Sequence, residues 1–379
     1  FYIKKKHPKK TCGSRLIMSI NIANNSLLSL IAALEFSKNS GRDVYLKSDA
    51  PVHFDRYFSI NEFSKIYLDN LGIWKKISKD QYVPYKNIEI YLNNKKSLEF
   101  KCDDPKAHNL GYIVHEGVLL DAITQCVDGS KSIKDYNDQN LASRGDMNIH
   151  SNIIEHENLM NLFKFKTKNY EQTAINITFE HSNGNNKEPR QIFYNDEILG
   201  LLPVDNHTYN LIWSMPNRFF NNVNTTSLND IIKYLSERIS FIVGDIRKID
   251  IGKSFPLSSR HSNKYFCENN ILIGDAAHKY HPLAGLGLNM GIEDVATLSH
   301  LLDNKENVKT VFYEYAIRRM SGAQSLQHIL DTIIVFHSSD IMPIKIKKKI
   351  LDLFNETFYL KPKIIENATG LNNKDLVNL

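Results

Sequence analysis

The sequence predicts an α/β fold with added α+β elements: a β-α-β unit opens the chain, an antiparallel sheet is inserted behind it, and helices close it. Three observations carry this. Apolar residues in Arg15–Ile22, Leu27–Phe36 and Val44–Leu46 follow strand, helix and strand spacing. From Gln172 to Met215 the period falls to two, as in a half-buried sheet. A further apolar strand, Ile271–Ile273, then runs into a cluster of small residues that opens a helix through Asp294.

Composition bounds the function. The 379 residues suggest two or three folding units, and 42% hydrophobic with 23% charged residues is ordinary globular usage, which excludes disordered, collagen-like and disulfide-scaffold chains. The longest apolar runs, such as Leu27–Leu34, fall short of the ~20 residues that cross a bilayer, so no spanning helix is expected. A net charge of +5 is too small for a nucleic-acid footprint, and no nucleic acid is expected as a partner. Cys12, Cys102, Cys126 and Cys267 stand far apart without a CxxC pair, which indicates thiols in a reducing cytosol and no metal site. Basic clusters stand at Lys4–Lys10 and Lys345–Lys349. The chain opens on Phe1 with no signal-peptide pattern, and its start is expected to be incomplete.

Taken in order, the first β-α-β segment has the length of a nucleotide-binding unit but not its chemistry. No glycine stands between Gly13 and Gly41, where GxGxxG would let backbone approach a pyrophosphate. The turn holds Asn21, Ala23, Asn24 and Asn25 instead. Asp49 is either a substitute for the acidic ribose ligand or a solvated loop residue. Asn137–Asn161 is polar and weakly patterned, as in a surface excursion. The inserted sheet reads as about four strands drawn from Ile175–Phe179, Gln191–Tyr194, Ile198–Val204 and Tyr209–Trp213. Ser227, with Asp230 three residues on, starts a helix with an apolar stripe of Leu228, Ile231, Ile232, Leu235 and Ile239.

The stretch after Ile271–Ile273 reads Gly274-Asp275-Ala276-Ala277-His278, then His281-Pro282-Leu283-Ala284-Gly285-Leu286-Gly287-Leu288-Asn289-Met290-Gly291. Small residues after a strand let a ligand approach backbone, Asp275 can accept from ribityl or ribose hydroxyls, and a glycine-opened helix end points N–H groups at negative charge. Glycines used only for tight packing are the alternative.

This stretch resembles the second FAD-binding motif of the class A flavoprotein monooxygenases, which share the fold of p-hydroxybenzoate hydroxylase. Flanking segments narrow the resemblance to the ubiquinone-biosynthesis hydroxylase branch: Asp55-Arg56, Leu71–Trp74, Gly111–Val114, Gln172–Ile175, Leu201–Pro203, Ile212–Ser214, Phe255–Leu257, Tyr313–Arg318, Asp331 and Ala368–Gly370, in the expected order. The resemblance implies a Rossmann-like FAD-binding domain (1–75, 100–165 and 255–305), a substrate domain with the antiparallel sheet (76–99 and 166–254) and a C-terminal helical region (306–379).

It also implies hydroxylation of a polyprenylated phenol through a flavin C4a-hydroperoxide, with O2 as co-substrate and external NAD(P)H or ferredoxin as electron donor. Gly274 and Asp275 would hold the ribityl-phosphate region, Pro282 and Gly285 would flank the isoalloxazine, Gly287, Leu288 and Asn289 would offer backbone contacts, and Arg56 would reach in from the other side. His281 and Pro282 are the candidate catalytic residues, with a structural role the alternative for His281. His278 is expected to be a satisfied loop residue.

The sequence departs from the family at the missing glycine fingerprint, at Leu286 in place of Gln, and at Glu197-Ile198 in place of Gly-Pro; Arg144–Met147 would be the remnant of the middle Gly-Asp-Gly motif. These departures keep open a flavin-deficient scaffold in a quinone-biosynthesis assembly, and a lipid-binding module. Ile341–Phe358, interleaved with Lys345–Lys349, reads as an amphipathic segment for peripheral contact with the inner face of a membrane from a cytoplasmic location, or as an ordinary packed helix.

Overall fold

The computed structural model describes residues 18–338, apart from 24, 39–41, 48–53, 103–107, 137–146, 153–160, 185–186, 283–284 and 306, together with 370 and 376. Asn24, Asp49, the N-terminal lysines, Arg144–Asp146 and the amphipathic 341–358 segment lie outside the described residues.

The chain begins with β1 (Met18–Ile22), α1 (Leu27–Ser37) and β2 (Arg42–Lys47), the β-α-β unit that the apolar spacing predicts. It continues through β3 (Tyr57–Asn61), α2 (Glu62–Asn70), β4 (Tyr82–Tyr85), β5 (Asn87–Leu92), β6 (Lys95–Lys101), β7 (Gly111–His115), α3 (Glu116–Asp128), β8 (Ile133–Tyr136) and β9 (Met147–His150). Next come β10 (Phe165–His181), β11 (Arg190–Tyr194), β12 (Glu197–Pro203), β13 (Thr208–Pro216), α4 (Asn217–Asn224), α5 (Leu228–Val243) and β14 (Ile246–Ser262). The last elements are β15 (Phe266–Cys267), β16 (Asn270–Leu272), a 3-10 turn at Gly274–Ala276, β17 (His278–Lys279), α6 (Gly287–Asn304) and α7 (Val308–Ser338).

Three sheets organise these elements. The first has six strands in the order β15-β16-β9-β1-β2-β8, parallel except for β15 against β16. Its strands bury Ile20, Ile22, Val44, Met147, Ile149, Ile271 and Leu272, with polar residues such as Ser19, Asn21, Asp43 and Asn148 between them. The second, of eight strands, runs β17-β14-β10-β13-β12-β11-β5-β6 and is antiparallel except for β11 beside β5. Its core, built on Trp213, Tyr209, Phe179 and Leu211, is sealed by α5 through Leu235 and Ile239. The third is a small antiparallel sheet, β3-β7-β4.

Two sequence readings change. The inserted sheet has eight strands where four were read, because β5 and β6 precede it in sequence by about 70 residues, β14 follows α5 and β17 follows β16. The polar stretch 137–161, read as a surface excursion, contains β9, which sits between β1 and β16 in the parallel sheet. The α5 cap is as expected, since Ser227 Oγ accepts from the Asp230 amide, but Leu228 of the expected stripe is half-exposed. Among the described residues no helix is long and apolar enough to cross a membrane, and no cluster of His, Cys, Asp and Glu could hold a metal ion.

Candidate functional site

The parallel sheet delivers two loops to one edge: the β1–α1 turn, and the turn between β16 and β17 that carries Asp275. Ligands of open α/β sheets bind beyond the carboxyl ends of such strands.

The second turn is tightly specified. Gly274 has φ +53, and a Cβ there would come within 2.4 Å of Leu28 Cδ2; a Cβ on Gly291 would approach the same methyl at 2.6 Å. Methyls there would press on the flexible end of Leu28, and at Gly274 the left-handed backbone itself calls for glycine. Tight packing thus accounts for Gly274 and Gly291 but not for Gly285 and Gly287. Gly285 has φ +59, and a Cβ on Gly287, the first residue of α6, would meet none of the described residues within 4 Å. That opening flanks the N-terminus of α6.

Asp275 is solvent-accessible, yet protein surrounds it closely enough that desolvation pushes its acid upward, with His278, Lys279, Arg56 and Arg260 partly offsetting the rise. We call the space over this water-reached carboxylate the Asp275 crevice. Beside it, Arg260 Nε and Nη2 are buried without a hydrogen-bond partner among the described residues, and the guanidinium stacks 4.3 Å from the Phe165 ring. Burial pushes the Arg260 guanidinium down, and Asp275 opposes this. Orphaned cationic donors next to an accessible carboxylate form a donor and acceptor set suited to a hydroxylated, phosphate-bearing ligand. The residues on this side fit the ribityl and phosphate parts of FAD.

The β1–α1 turn is built differently. Ser26 caps α1, its Oγ accepting from the Ser29 amide at 3.2 Å, and it lies 2.8 Å from Ser151 Oγ; Ser29 Oγ is 2.7 Å from the same hydroxyl. Hydroxyls therefore stand where a glycine-rich cradle would be, and Ser151 closes the cluster from the end of β9. Sequence reasoning, which saw only the asparagines, missed it: Ser151 is 122 residues from Ser29.

The other candidate residues are distributed as follows. Asn289 is buried, donating Nδ2 to Ser59 O and accepting from the Asn61 amide, so its side chain stitches α6 to β3 and leaves only backbone for a ligand. Leu288 and Pro282 are half-buried at the same opening. Arg56 is half-exposed and forks onto Glu116, Nε to Oε2 at 2.8 Å and Nη2 to Oε1 at 3.2 Å, within electrostatic reach of Asp275. His278 is buried and only half satisfied: Nε2 lies 2.8 Å from Asp294 Oδ2, while Nδ1 is buried without a partner among the described residues, which corrects the expected satisfied loop histidine.

His281 lies beneath the loop, 2% exposed, with Nε2 at 3.3 Å from Gln172 Oε1 and its ring edge-on to Tyr170 at 4.9 Å. Burial lowers its pKa to about 4, so at neutral pH it is an uncharged imidazole. Tyr170 continues the network to Asp331 Oδ1 at 2.7 Å and to Gln327 on α7. A separate groove of mixed character between α4, α5 and the large sheet is lined by Ile175, Phe220, Ile231 and Ile251 together with the polar Asn224, Thr226 and Ser254. Phe54 carries Arg56 on one approach and Lys253 of β14 on another, linking the sheet beside that groove to the Arg56 corner of the crevice.

Comparison with known proteins bears on this geometry directly. Residues 151–324 match the FAD binding domain family. An uncharacterized protein of Synechocystis is 25% identical over 268 residues, 65% of this chain and 64% of that protein's length. The 3-demethoxyubiquinol 3-hydroxylase of Escherichia coli is 25% identical over 346 residues, covering 83% of this chain and 87% of that one. The crystal structure of p-nitrophenol 4-monooxygenase from Pseudomonas putida has the same fold, with a TM-score of 0.72 at 14% identity over 95% of this chain and 98% of that one. With an FAD binding domain match that spans the Asp275 turn and hydroxylase relatives over most of its length, the chain is similar to FAD-dependent hydroxylases and shares the fold of the solved flavin monooxygenases.

Proposed function

We propose that this protein is an FAD-dependent monooxygenase that hydroxylates the ring of a polyprenylated phenol in ubiquinone biosynthesis. The observation that carries the reading is the Asp275 crevice with its orphaned Arg260 donors, inside a chain that aligns with a 3-demethoxyubiquinol 3-hydroxylase over 83% of its length. Bound FAD supplies the activation of O2 from which one oxygen atom reaches an electron-rich ring. The chain's own task is to hold and to exclude. Asp275 accepts hydroxyl protons, Arg260 and the Ser26–Ser29–Ser151 hydroxyls face the anionic part, and Gly285 and Gly287 leave room for the flat ring system beside Pro282 and Leu288.

His281, held uncharged, forms a wall that can hydrogen-bond without drawing water toward a charge. Within the mixed lining of the second groove, Ile175, Phe220 and Ile251 are the apolar side chains against which prenyl units would lie. Reducing equivalents come from external NAD(P)H or a ferredoxin, and the protein works at the inner face of a membrane beside other quinone-pathway proteins. The division into FAD-binding, substrate and C-terminal helical regions belongs to the same reading.

The test is an absorbance spectrum of the purified protein with and without added FAD, followed by O2 consumption with a short-chain polyprenyl phenol and NAD(P)H or reduced ferredoxin. Stoichiometric flavin and phenol-dependent hydroxylation are expected. A folded protein that takes up no flavin would overturn the reading in favour of a non-catalytic scaffold.

A further inference from the structure

The Gly274–His278 turn is anchored at both of its ends by one side chain that belongs to neither loop of the crevice. Asp294, fully buried on α6, accepts the Gly274 amide at 2.8 Å and meets His278 Nε2 at 2.8 Å, both through Oδ2. Its other oxygen accepts Nε of Arg319, a buried residue of α7. Arg319 is in turn fixed by Glu293 Oε2 at 2.8 Å through Nη1 and by the Met290 carbonyl at 3.0 Å through Nη2. Asp275 lies between the two anchored residues and makes no hydrogen bond to a described residue. Its position is set by its neighbours.

We propose that Asp294 is a positioning residue of the cofactor site, locking the Gly274–His278 turn in the shape that presents Asp275, and that Arg319 ties this lock to α7. The inference rests on the FAD reading for its consequence and on geometry alone for the lock. Gly274 holds a left-handed φ of +53 against the Leu28 methyl, a conformation that persists only where its surroundings over-determine it. The Asp294 carboxylate is the polar half of that surrounding. Desolvation pushes the Asp294 acid upward, but His278 and Arg319 outweigh it and the net direction is down, so the group is an ionised acceptor that can serve three donors. Glu293 shares the same guanidinium; burial raises its acid and Arg319 offsets part of the rise. A change in the seating of α7 is thereby transmitted, through two side chains, to the carboxylate on the crevice floor.

The test uses Asp294→Asn and Arg319→Lys, with Glu197→Gln as a control that weakens a buried ion pair in the large sheet instead. Two readouts are taken on the full chain: amide hydrogen exchange across 271–280 without FAD, and the FAD dissociation constant from quenching of flavin fluorescence. Asp294→Asn should speed exchange at Gly274 and weaken FAD by about tenfold each, Arg319→Lys should do so to a smaller degree, and Glu197→Gln should leave both within about twofold of the parent. Should Asp294→Asn lose its far-UV circular dichroism, Arg319→Lys carries the same two readouts. Parental exchange at Gly274 in a folded Asp294→Asn or Arg319→Lys protein would overturn the lock. A parent chain that binds no FAD would instead overturn the functional reading, with the exchange result still deciding the lock.

Discussion

Glu197 and Arg238 form a closed pair inside the large sheet's core: Arg238 donates Nε to Glu197 Oε2 at 2.9 Å and Nη2 to Oε1 at 2.7 Å, and Trp213 Nε1 donates to Oε2 at 2.7 Å. Both side chains are nearly dry, and the guanidinium lies 4.9 Å from the Tyr194 ring. The carboxylate that departs from the family's Gly-Pro pattern has therefore acquired its own partner on α5. Breaking such a pair from one side strands a buried charge. Arg238→Met should cost about 3–5 kcal/mol in urea unfolding, and adding Glu197→Leu should recover part of that loss.

Asp275 carries the polar recognition of the crevice. Asp275→Ala should abolish flavin binding, seen as loss of yellow colour on gel filtration with FAD, while the melting temperature stays at or above that of the parent. Removing a carboxylate whose acid is already raised by desolvation relieves the apo protein rather than straining it. Retention of full colour would refute the placement of the site.

Gly274 and Gly287 should respond in opposite ways to alanine. At Gly274 the new methyl meets Leu28 in a left-handed backbone, and a loss of about 1–3 kcal/mol is expected in thermal unfolding. At Gly287 it meets none of the described residues, so the apo protein should gain about 0.4–1 kcal/mol. If the space belongs to the cofactor, the same Gly287→Ala protein binds FAD more weakly, and stability and affinity move apart in one variant.

Acid stability should record His281. Its folded pKa of about 4 lies below the unfolded value of about 6.5, so the unfolded chain binds the extra proton between these limits. The stabilisation is fully present above pH ~6.5 and is lost as pH falls toward ~4, by up to about 3 kcal/mol. His281→Asn should flatten that part of the profile of unfolding free energy against pH. His181 and His261, whose pKa values burial also lowers, supply the slope that remains.

What the sequence disclosed follows from the range over which its signals act. The β-α-β opening, the α5 cap at Ser227 and the Asp275 turn are local, each written within about a dozen neighbouring residues, and they stand where the spacing placed them. The extent of the large sheet was not legible, because the first half of β10, Phe165–Tyr170, is a lysine- and threonine-rich run without alternation that owes its extended form to β14. Ser151, Arg238 and Arg319 carried no signal at all. Each acquires its role from a partner 122, 41 or 25 residues away, and only the folded chain shows the pairing.

The strand order β15-β16-β9-β1-β2-β8 also has a consequence for how the chain is made. When β9 has left the ribosome it can pair with β1, but its other edge waits for β16, which lies more than a hundred residues later, after β10 to β14 of the eight-stranded sheet. Pairings of such separation form slowly. A nascent or truncated chain ending before Leu272 would hold an unpaired apolar edge at Met147–His150, open to the strands of other copies. Yield of soluble protein should therefore depend on translation continuing promptly through β16, the same strand that leads into the Asp275 turn.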